Sequence, residues 1–462
     1  MTCPQASPVG TVIEALVTAP YLTKLSEHAV QHRVGRKRIH PPWVLFAYAA
    51  LIRHFRSANH TDAELASGLW ARLRAAAKDA GLQDPGPVPY AFKHYTYQRD
   101  QLLNDEQRRD ALIEEFTAVA VDHAQRLGLL RPDGRGSLTY PHPTRTIYGD
   151  GTIVRPIYRP PRPHDYATHP ETGQRAPRYV DPTTGELTFT PPGRYDPSAA
   201  DHGRHDGIVH GNNFLLFSVR GDQPNSRVVL GIGRVPAPGQ EAETAIRLTQ
   251  RLHRIAGGGI QAVVYDGALH GTHIDHIMRS TGLIVVNKVR AATRNETGDT
   301  TPKRRPLGIH QHQTAQGTCT HTLHVVNGTV VDVALADDGT PVDVATATRK
   351  QIKRSRRKDG TYRFNLAVTL PCGNEHTTIW LSPHDNPEHI RLIPPDDPHF
   401  TTLYSLRNDA ESLNAQYKKT LLVDRATSVG WQRQLFDVLA YSILHNSITW
   451  QGSGIRRERP AA

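Results

Sequence analysis

From residue 144 to 289 the chain reads as a strand, a hairpin of two strands, a helix, a strand, a helix and a last strand. No other feature limits the possible folds as tightly. TRTIYGDGTIVRPIY (144–158) sets the strand formers Ile147, Tyr148, Ile153 and Val154 around Asp150, which Gly149 and Gly151 flank. NNFLLFSVRG (212–221) and RVVLGIGRV (227–235) are separated by a short polar turn, as in a hairpin. Ala245, Ile246, Leu248, Leu252 and Ile255 recur at helical spacing over 241–256. Ala262, Val263 and Val264 form the continuous apolar run of a central, doubly covered strand, with Asp266 at its C-terminal end. A helix over 273–281 and a strand over 283–289 complete the set. An antiparallel start that passes through a helix into parallel strands predicts a mixed α/β sheet. Carboxylates at the strand ends of such a sheet can converge.

The flanking regions read differently. Residues 1–135 are predicted helical. Trp43, Phe46, Ala47, Ala50, Leu51 and His54 repeat at helical spacing after Pro41-Pro42, a natural helix entry. Thr61-Asp62-Ala63-Glu64 has the form of a capping box opening a second helix, and Asn104 to Gln107 opens a third, closed by Gly128. With a basic loop at Arg33, Arg36, Lys37 and Arg38, this region suits a helix-turn-helix-like DNA reader; an ordinary helical bundle is the alternative. Residues 156–197 hold ten prolines, so 156–208 is expected to be an irregular excursion, and the histidines of HGRHDGIVHG (202–211) to lie in a loop. Residues 290–398 are Thr-rich with β-prone pieces and predict a small β-rich insertion. Helices close the chain at 399–422 and 431–450, and 451–462 is a tail.

The helix predicted over 399–422 carries a polar stripe. With Tyr404 at zero, about 100° per residue puts Arg407 at about 300°, Glu411 at about 340° and Lys418 at about 320°. Asp409 falls at about 140° and is excluded. Leu406, Ala410, Leu413, Tyr417 and Leu421 form an adjacent apolar face. Such charges on a helix alone are as well explained by a solvated surface.

Charge points the same way as the stripe. The 462 residues carry a formal net charge of +11, which suits a polyanionic partner, most often nucleic acid. The basic residues cluster at 33–38, at Lys303, Arg304 and Arg305, and at Arg349, Lys350, Lys353, Arg354, Arg356, Arg357 and Lys358. Three clusters suggest a surface that tracks phosphates. No apolar run reaches the length of a membrane span, no secretory leader is evident, and the three cysteines make no disulfide framework. A cytoplasmic, nucleoid-associated protein is expected.

Three acids stand out: Asp150 on one strand, Asp266 at the end of another, and Glu411 on a later helix. Brought together, three carboxylates repel unless a cation neutralises them, and hard oxygen donors suit Mg²⁺ or Mn²⁺. Two such ions support in-line phosphoryl transfer. The glycines beside Asp150 and Asp266 would let a phosphate or metal approach the backbone.

GDGT around Asp150, YDGALHG around Asp266, and the Y-x2-R-x3-E-x6-K pattern in YSLRNDAESLNAQYKK resemble the DDE transposases of bacterial insertion sequences. The resemblance is to the cut-and-paste subgroup with the Tyr-Arg-Glu-Lys signature and spans about residues 144–450. It implies a ribonuclease-H-like catalytic domain with a β insertion between the second Asp and the Glu, and a helical N-terminal DNA-binding domain. It further implies a homodimer acting on the inverted-repeat ends of a transposon and on target DNA. Asp150, Asp266 and Glu411 would be the catalytic metal ligands. Tyr404, Arg407 and Lys418 would grip phosphates near the cleaved end, Arg407 as a fork and Lys418 as a point charge. Arg354, Arg356 and Arg357 are further candidates for DNA contact. In some members a tryptophan of the insertion stacks on a flipped base; Trp380 lies in the corresponding segment, although a strand tryptophan is expected in the core. A catalytically idle DNA-binding protein and a nuclease on the same fold are the competing expectations.

Cys319-Thr320-His321 and Cys372-Gly373-Asn374-Glu375-His376 offer two cysteines and two histidines. Their spacings match no standard zinc finger, so buried cysteines and surface histidines are expected instead of zinc.

Overall fold

The computed structural model describes residues 9–29, 39–133, 136–204, 207–223, 226–289, 292–294, 300–302, 304–315, 317–373 and 375–454. The basic loop at 33–38, Cys3, Lys303, Asn374 and the arginines of the tail lie outside them.

The N-terminal region is helical, as its periodicity predicts: α1 (Val9–Thr18), α2 (Tyr21–Ala29), α3 (Trp43–Phe55), α4 (Ala58–Glu64), α5 (Trp70–Asp79), α6 (Thr96–Leu103) and α7 (Glu106–Arg126). Asp105 caps α7, its side chain accepting from the Arg108 N–H at 3.1 Å, and the chain leaves through Gly128 at φ +79°. The capping box at Thr61 is not a helix start. Ser57 caps α4, accepting from the His60 N–H, and Thr61 lies inside the helix with its hydroxyl donating to the Ser57 carbonyl. The earlier serine already satisfies the first turn, so Thr61 bonds backward within it.

The acid-bearing strand β1 (Thr146–Val154) lies inside the main sheet. The chain continues through β2 (Asp165–Thr168), β3 (Arg175–Val180), β4 (Leu187–Thr188), β5 (Ala200–Arg204), β6 (Gly207–Arg220), β7 (Arg227–Arg234), α8 (Glu241–Ala256), β8 (Ala262–Val264), α9 (Gly271–Thr281) and β9 (Ile284–Val286). The sheet order is β7–β6–β1–β8–β9, with β5 paired to the start of β6. β6 is antiparallel to β1 and β7, whereas β8 is parallel to β1 and β9 parallel to β8. The fold is therefore mixed α/β.

The Pro-rich excursion is more regular than its composition suggests. β2, β3 and β4 form a small antiparallel sheet. Beyond them, buried Asp196 pins the chain to the start of the last helix, accepting from Gln434 Nε2 at 2.7 Å and from the Gly430 N–H at 3.1 Å. His202 and His210 lie on the β5–β6 hairpin and not in a loop, and His205 lies outside the described residues. There His202 Nε2 sits 3.2 Å from the Gly211 carbonyl, and His210 Nδ1 2.7 Å from Asp201.

The insertion contains β10 (Ala292–Arg294), β11 (Thr300–Pro302), β12 (Arg304–Thr314), β13 (Gly317–Val326), β14 (Thr329–Leu335), β15 (Pro341–Thr346), β16 (Thr348–Arg356), β17 (Tyr362–Cys372) and β18 (Glu375–Leu381). It is not one small sheet: β12–β13–β14–β15 and β16–β17–β18 are separate antiparallel sheets, and β10–β11 is a third, two-stranded ladder.

The final segment is α10 (Pro398–Tyr404), a 3₁₀ turn at Ser405–Arg407, α11 (Asn408–Lys419) and α12 (Trp431–Gly452). α12 seals the free edge of β7. The Asn446 side chain accepts from the Val229 N–H and donates to the Val229 carbonyl, both at 2.8 Å, which removes an unpaired sheet edge. α12 also packs on α1 and α3, and buried Arg53 lies 3.5 Å from Asp437. The N-terminal helices and the end of the chain thus share one core.

Candidate active site

Side chains alternate across β1, and this alternation builds the site. Asp150 points to the α11 face, where Asn414 Nδ2 donates to its Oδ2 at 2.7 Å. Gly149 and Gly151 present the opposite face. A Cβ on Gly149 would lie 2.5 Å from the Phe217 ring and 2.8 Å from the Tyr265 ring. A Cβ on Gly151 would lie 2.8 Å from the Glu241 carboxylate. These glycines make room for buried neighbours behind the strand and not for a phosphate or metal, contrary to the expectation from their position. Gly267, beside Asp266, has nothing within 4 Å of such a Cβ and keeps the open backbone expected of it.

Parallel pairing sets the second acid. Tyr148 is in register with Val264. Asp266 lies two residues beyond the end of β8, near enough to Asp150 for its charge to act on that carboxyl. Asp266 accepts from the Ala268 N–H at 2.9 Å. The third acid comes from α11. Arg407 ties it to the first: its Nη1 lies 3.4 Å from Asp150 Oδ1, and its Nη2 donates to Glu411 Oε1.

The electrostatics record the same gathering. Burial pushes the Asp150 carboxyl up to about 6; Asp266 and Glu411 add to the rise, while Arg407 and Asn414 oppose it. Burial works against the charge of Arg407, yet Tyr404, Glu411, Asp150 and Asp266 together hold its guanidinium above its ordinary value. Three carboxylates around one guanidinium leave an excess of negative charge. That donor set, all oxygen and partly shielded from water, fits Mg²⁺ or Mn²⁺.

The polar stripe does not lie on one continuous helix, although its spacing predicts one. Asp397 caps α10, accepting from the His399 N–H at 2.8 Å, with Pro398 next in line. The 3₁₀ turn then separates Tyr404 from Glu411. In such a turn residues three apart eclipse, and Arg407 accordingly sits 5.6 Å from the Tyr404 ring centroid. Lys288, just past β9, approaches the same ring at 5.4 Å. Lys418 is half-buried, about 10 Å further along α11 than Glu411. Ala410, Leu413, Tyr417 and Leu421 are buried, as expected, and Leu406 is half-buried. Asp409, outside the stripe, pairs with Arg220, while its carbonyl accepts from Arg227 Nη1 at 2.8 Å. It fastens α11 to the β6–β7 hairpin.

No family model matches this chain, and no curated protein is detectably similar to it.

The basic run divides into structural and exposed members. Arg349 is buried in a two-pronged pair with Asp397, at 2.6 and 3.0 Å, and its guanidinium also lies 4.6 Å from the Tyr140 ring. It is thus a tie between β16 and the start of α10, not part of a phosphate-tracking surface. Arg354 is exposed and donates to the Gly282 carbonyl at 2.6 Å. Arg356 is exposed and reaches the Gly360 carbonyl at 3.5 Å, and Arg357 is exposed at the end of β16. Trp380 is not in the core: it is 47% exposed, with Lys353 Nζ 4.6 Å from its ring centroid. Along β18, Thr377 and Ile379 take the buried face, so Trp380 stands on the opposite face.

Asn414 and Lys288 were not singled out from the sequence. Asn414 lies three residues after Glu411, the spacing that puts two side chains on neighbouring parts of one helix face. Nothing local distinguishes Lys288 from other surface lysines.

Proposed function

We propose that this chain is a metal-dependent DNA transposase of the DDE type, built on a ribonuclease-H-like sheet. The sheet order β7–β6–β1–β8–β9, antiparallel in its first half and parallel in its second, supports that architecture. The observation that carries the reading is Arg407 bridging Asp150 and Glu411, with the charge of Asp266 acting on the same guanidinium. Two strands and a helix far apart in sequence contribute these acids.

Mg²⁺ or Mn²⁺ held by Asp150, Asp266 and Glu411 would supply charge neutralisation and an activated oxygen nucleophile. In the nicking step, a water oxygen bonds to the scissile phosphorus and the 3′ oxygen leaves. In joining, that 3′ hydroxyl bonds to a phosphorus of the target strand and displaces the target's own 3′ oxygen. Asn414 orients Asp150 in both steps. Arg407 and Lys418 hold phosphate oxygens, and Tyr404 lines the same side. Arg407 is paired to the acids in the free chain, so a DNA phosphate competes for its fork. The partners on this reading are transposon ends and target DNA, engaged by a homodimer.

The test is Glu411→Gln. Cleavage of a terminal-repeat duplex in Mg²⁺ is expected to fall more than about 100-fold, beyond the cost of losing an outer partner of a metal site, with DNA affinity unchanged. Full activity in the variant would overturn the reading. Cleavage that ignores paired ends would point to a nuclease instead.

A further inference from the structure

We propose that His312, Cys319, His321 and Cys372 bind a structural zinc ion that ties together the two larger sheets of the β insertion. One donor atom from each residue lies within 4.8 Å of the other three. The chemistry of this set, two thiols and two imidazoles, differs from the all-oxygen site at Asp150 and selects zinc over Mg²⁺.

The pleat explains how the set forms. Across the β12–β13 ladder His312 faces Cys319, and His310 faces His321. Residues two apart on a strand share a face, so all four stand on one side of the hairpin. Cys372 arrives from the last residue of β17, in the other sheet. His376 takes no part: it pairs with Pro371, whereas Cys372 pairs with Glu375, so His376 projects to the opposite face from Cys372. His312 comes from a strand with little apolar alternation, which hid it in the sequence.

Two details fit a metal site. His321 is buried, and its Nδ1 donates to the Asp332 carboxylate at 2.6 Å. That bond fixes the tautomer and leaves Nε2 as the free lone pair, the usual outer support of a metal-bound histidine. Nε2 lies 3.4 Å from Cys319 Sγ, close to the about 3.5 Å edge between nitrogen and sulfur in a zinc tetrahedron. His312 Nδ1 is buried with no hydrogen-bond partner. The two sulfurs lie 2.7 Å apart and would separate to about 3.8 Å around zinc. Four protein donors close the coordination shell, which marks a structural and not a catalytic ion. Its folding contribution is to hold β13 against the end of β17, strands that belong to separate sheets.

The experiment measures zinc in the full chain, expressed with zinc in the medium and dialysed against metal-free buffer. About one zinc per chain is expected, falling below about a tenth in Cys319→Ser and in Cys372→Ser. His376→Ala and Asp150→Asn are expected to keep it, which separates this site from the acidic one. If the cysteine variants fail to fold, cobalt substitution of the unaltered chain decides: tetrahedral cobalt with thiolate charge-transfer absorption supports the site. Substoichiometric zinc overturns the proposal, whether thiol titration finds three free thiols or Cys3 alone beside a Cys319–Cys372 disulfide. So does zinc retained by a folded Cys319→Ser chain.

Discussion

Asn414 donates its side-chain amide to Asp150 Oδ2 at 2.7 Å, across 264 positions of sequence. The same amide approaches the Gly151 carbonyl at 3.4 Å, so α11 grips β1 at the acid itself. A hydrogen bond to a charged group contributes about 1.5–3 kcal/mol. Asn414→Ala is therefore expected to slow Mg²⁺-dependent nicking about tenfold or more near neutral pH. It should also move the acid limb of the pH profile upward by about one unit. A rate loss at every pH with the limb unmoved would mean that Asn414 only supports the fold.

Asp150 gives a pH dependence with a defined sign. Its carboxyl is held at about 6 against an ordinary 3.8, chiefly by burial. Between those values the folded chain keeps a proton that the unfolded chain has lost. The contribution to metal-free stability therefore falls as pH rises through this window and is level above it. Cation binding needs the ionised form, so Mg²⁺ affinity is expected to drop about tenfold per unit below about pH 6. Melting curves in chelator and Mg²⁺ titrations, each compared with Asp150→Asn, isolate this group. A stability contribution that rises through the window would contradict the assignment.

The glycines around the two aspartates should separate cleanly. Gly149→Ala drives a methyl into the Phe217 and Tyr265 rings, both fully buried. Overpacking of this kind costs about 1–3 kcal/mol. Gly267→Ala meets nothing within 4 Å and is expected to change stability by less than about 0.5 kcal/mol. Urea denaturation of the two variants measures both values.

The basic strand should separate just as clearly. Arg349→Ala leaves half-buried Asp397 with only its bond from the His399 N–H, which costs about 1–3 kcal/mol. It should leave the salt dependence of DNA binding unchanged. Arg357→Ala is expected to leave stability within about 0.5 kcal/mol and to reduce the salt slope by about one ion, if that side chain meets a phosphate. Denaturation and binding titrations over a range of salt distinguish the pair.

Local pattern was a good guide wherever burial imposed a period. The helices at 43–55, 106–126 and 241–256 and the strands of the main sheet carry apolar residues at the spacing of their element, and they form there. It failed where burial was slight. In β12 and β16 most residues are exposed or half-buried, and in β16 Ile352 is the one apolar residue buried, so charge and polarity masked both strands. The excursion at 156–208 hid its small sheet behind prolines for the same reason.

Residue pattern alone set most kinds of element, the order of the main-sheet strands β1, β6, β7, β8 and β9, and the spacing from Tyr404 to Lys418. These follow from backbone propensity and side-chain period, which act within a few turns of chain. Long-range packing set the rest: that Asn414 reaches Asp150, that Gly149 makes room for aromatic rings, that the Arg349 side chain is a buried tie, and that His312 and not His376 joins Cys319, His321 and Cys372. Each depends on strand register or on a pairing between distant segments. A shift of one residue in register turns a side chain to the other face, and no local pattern fixes register between strands so far apart in the chain.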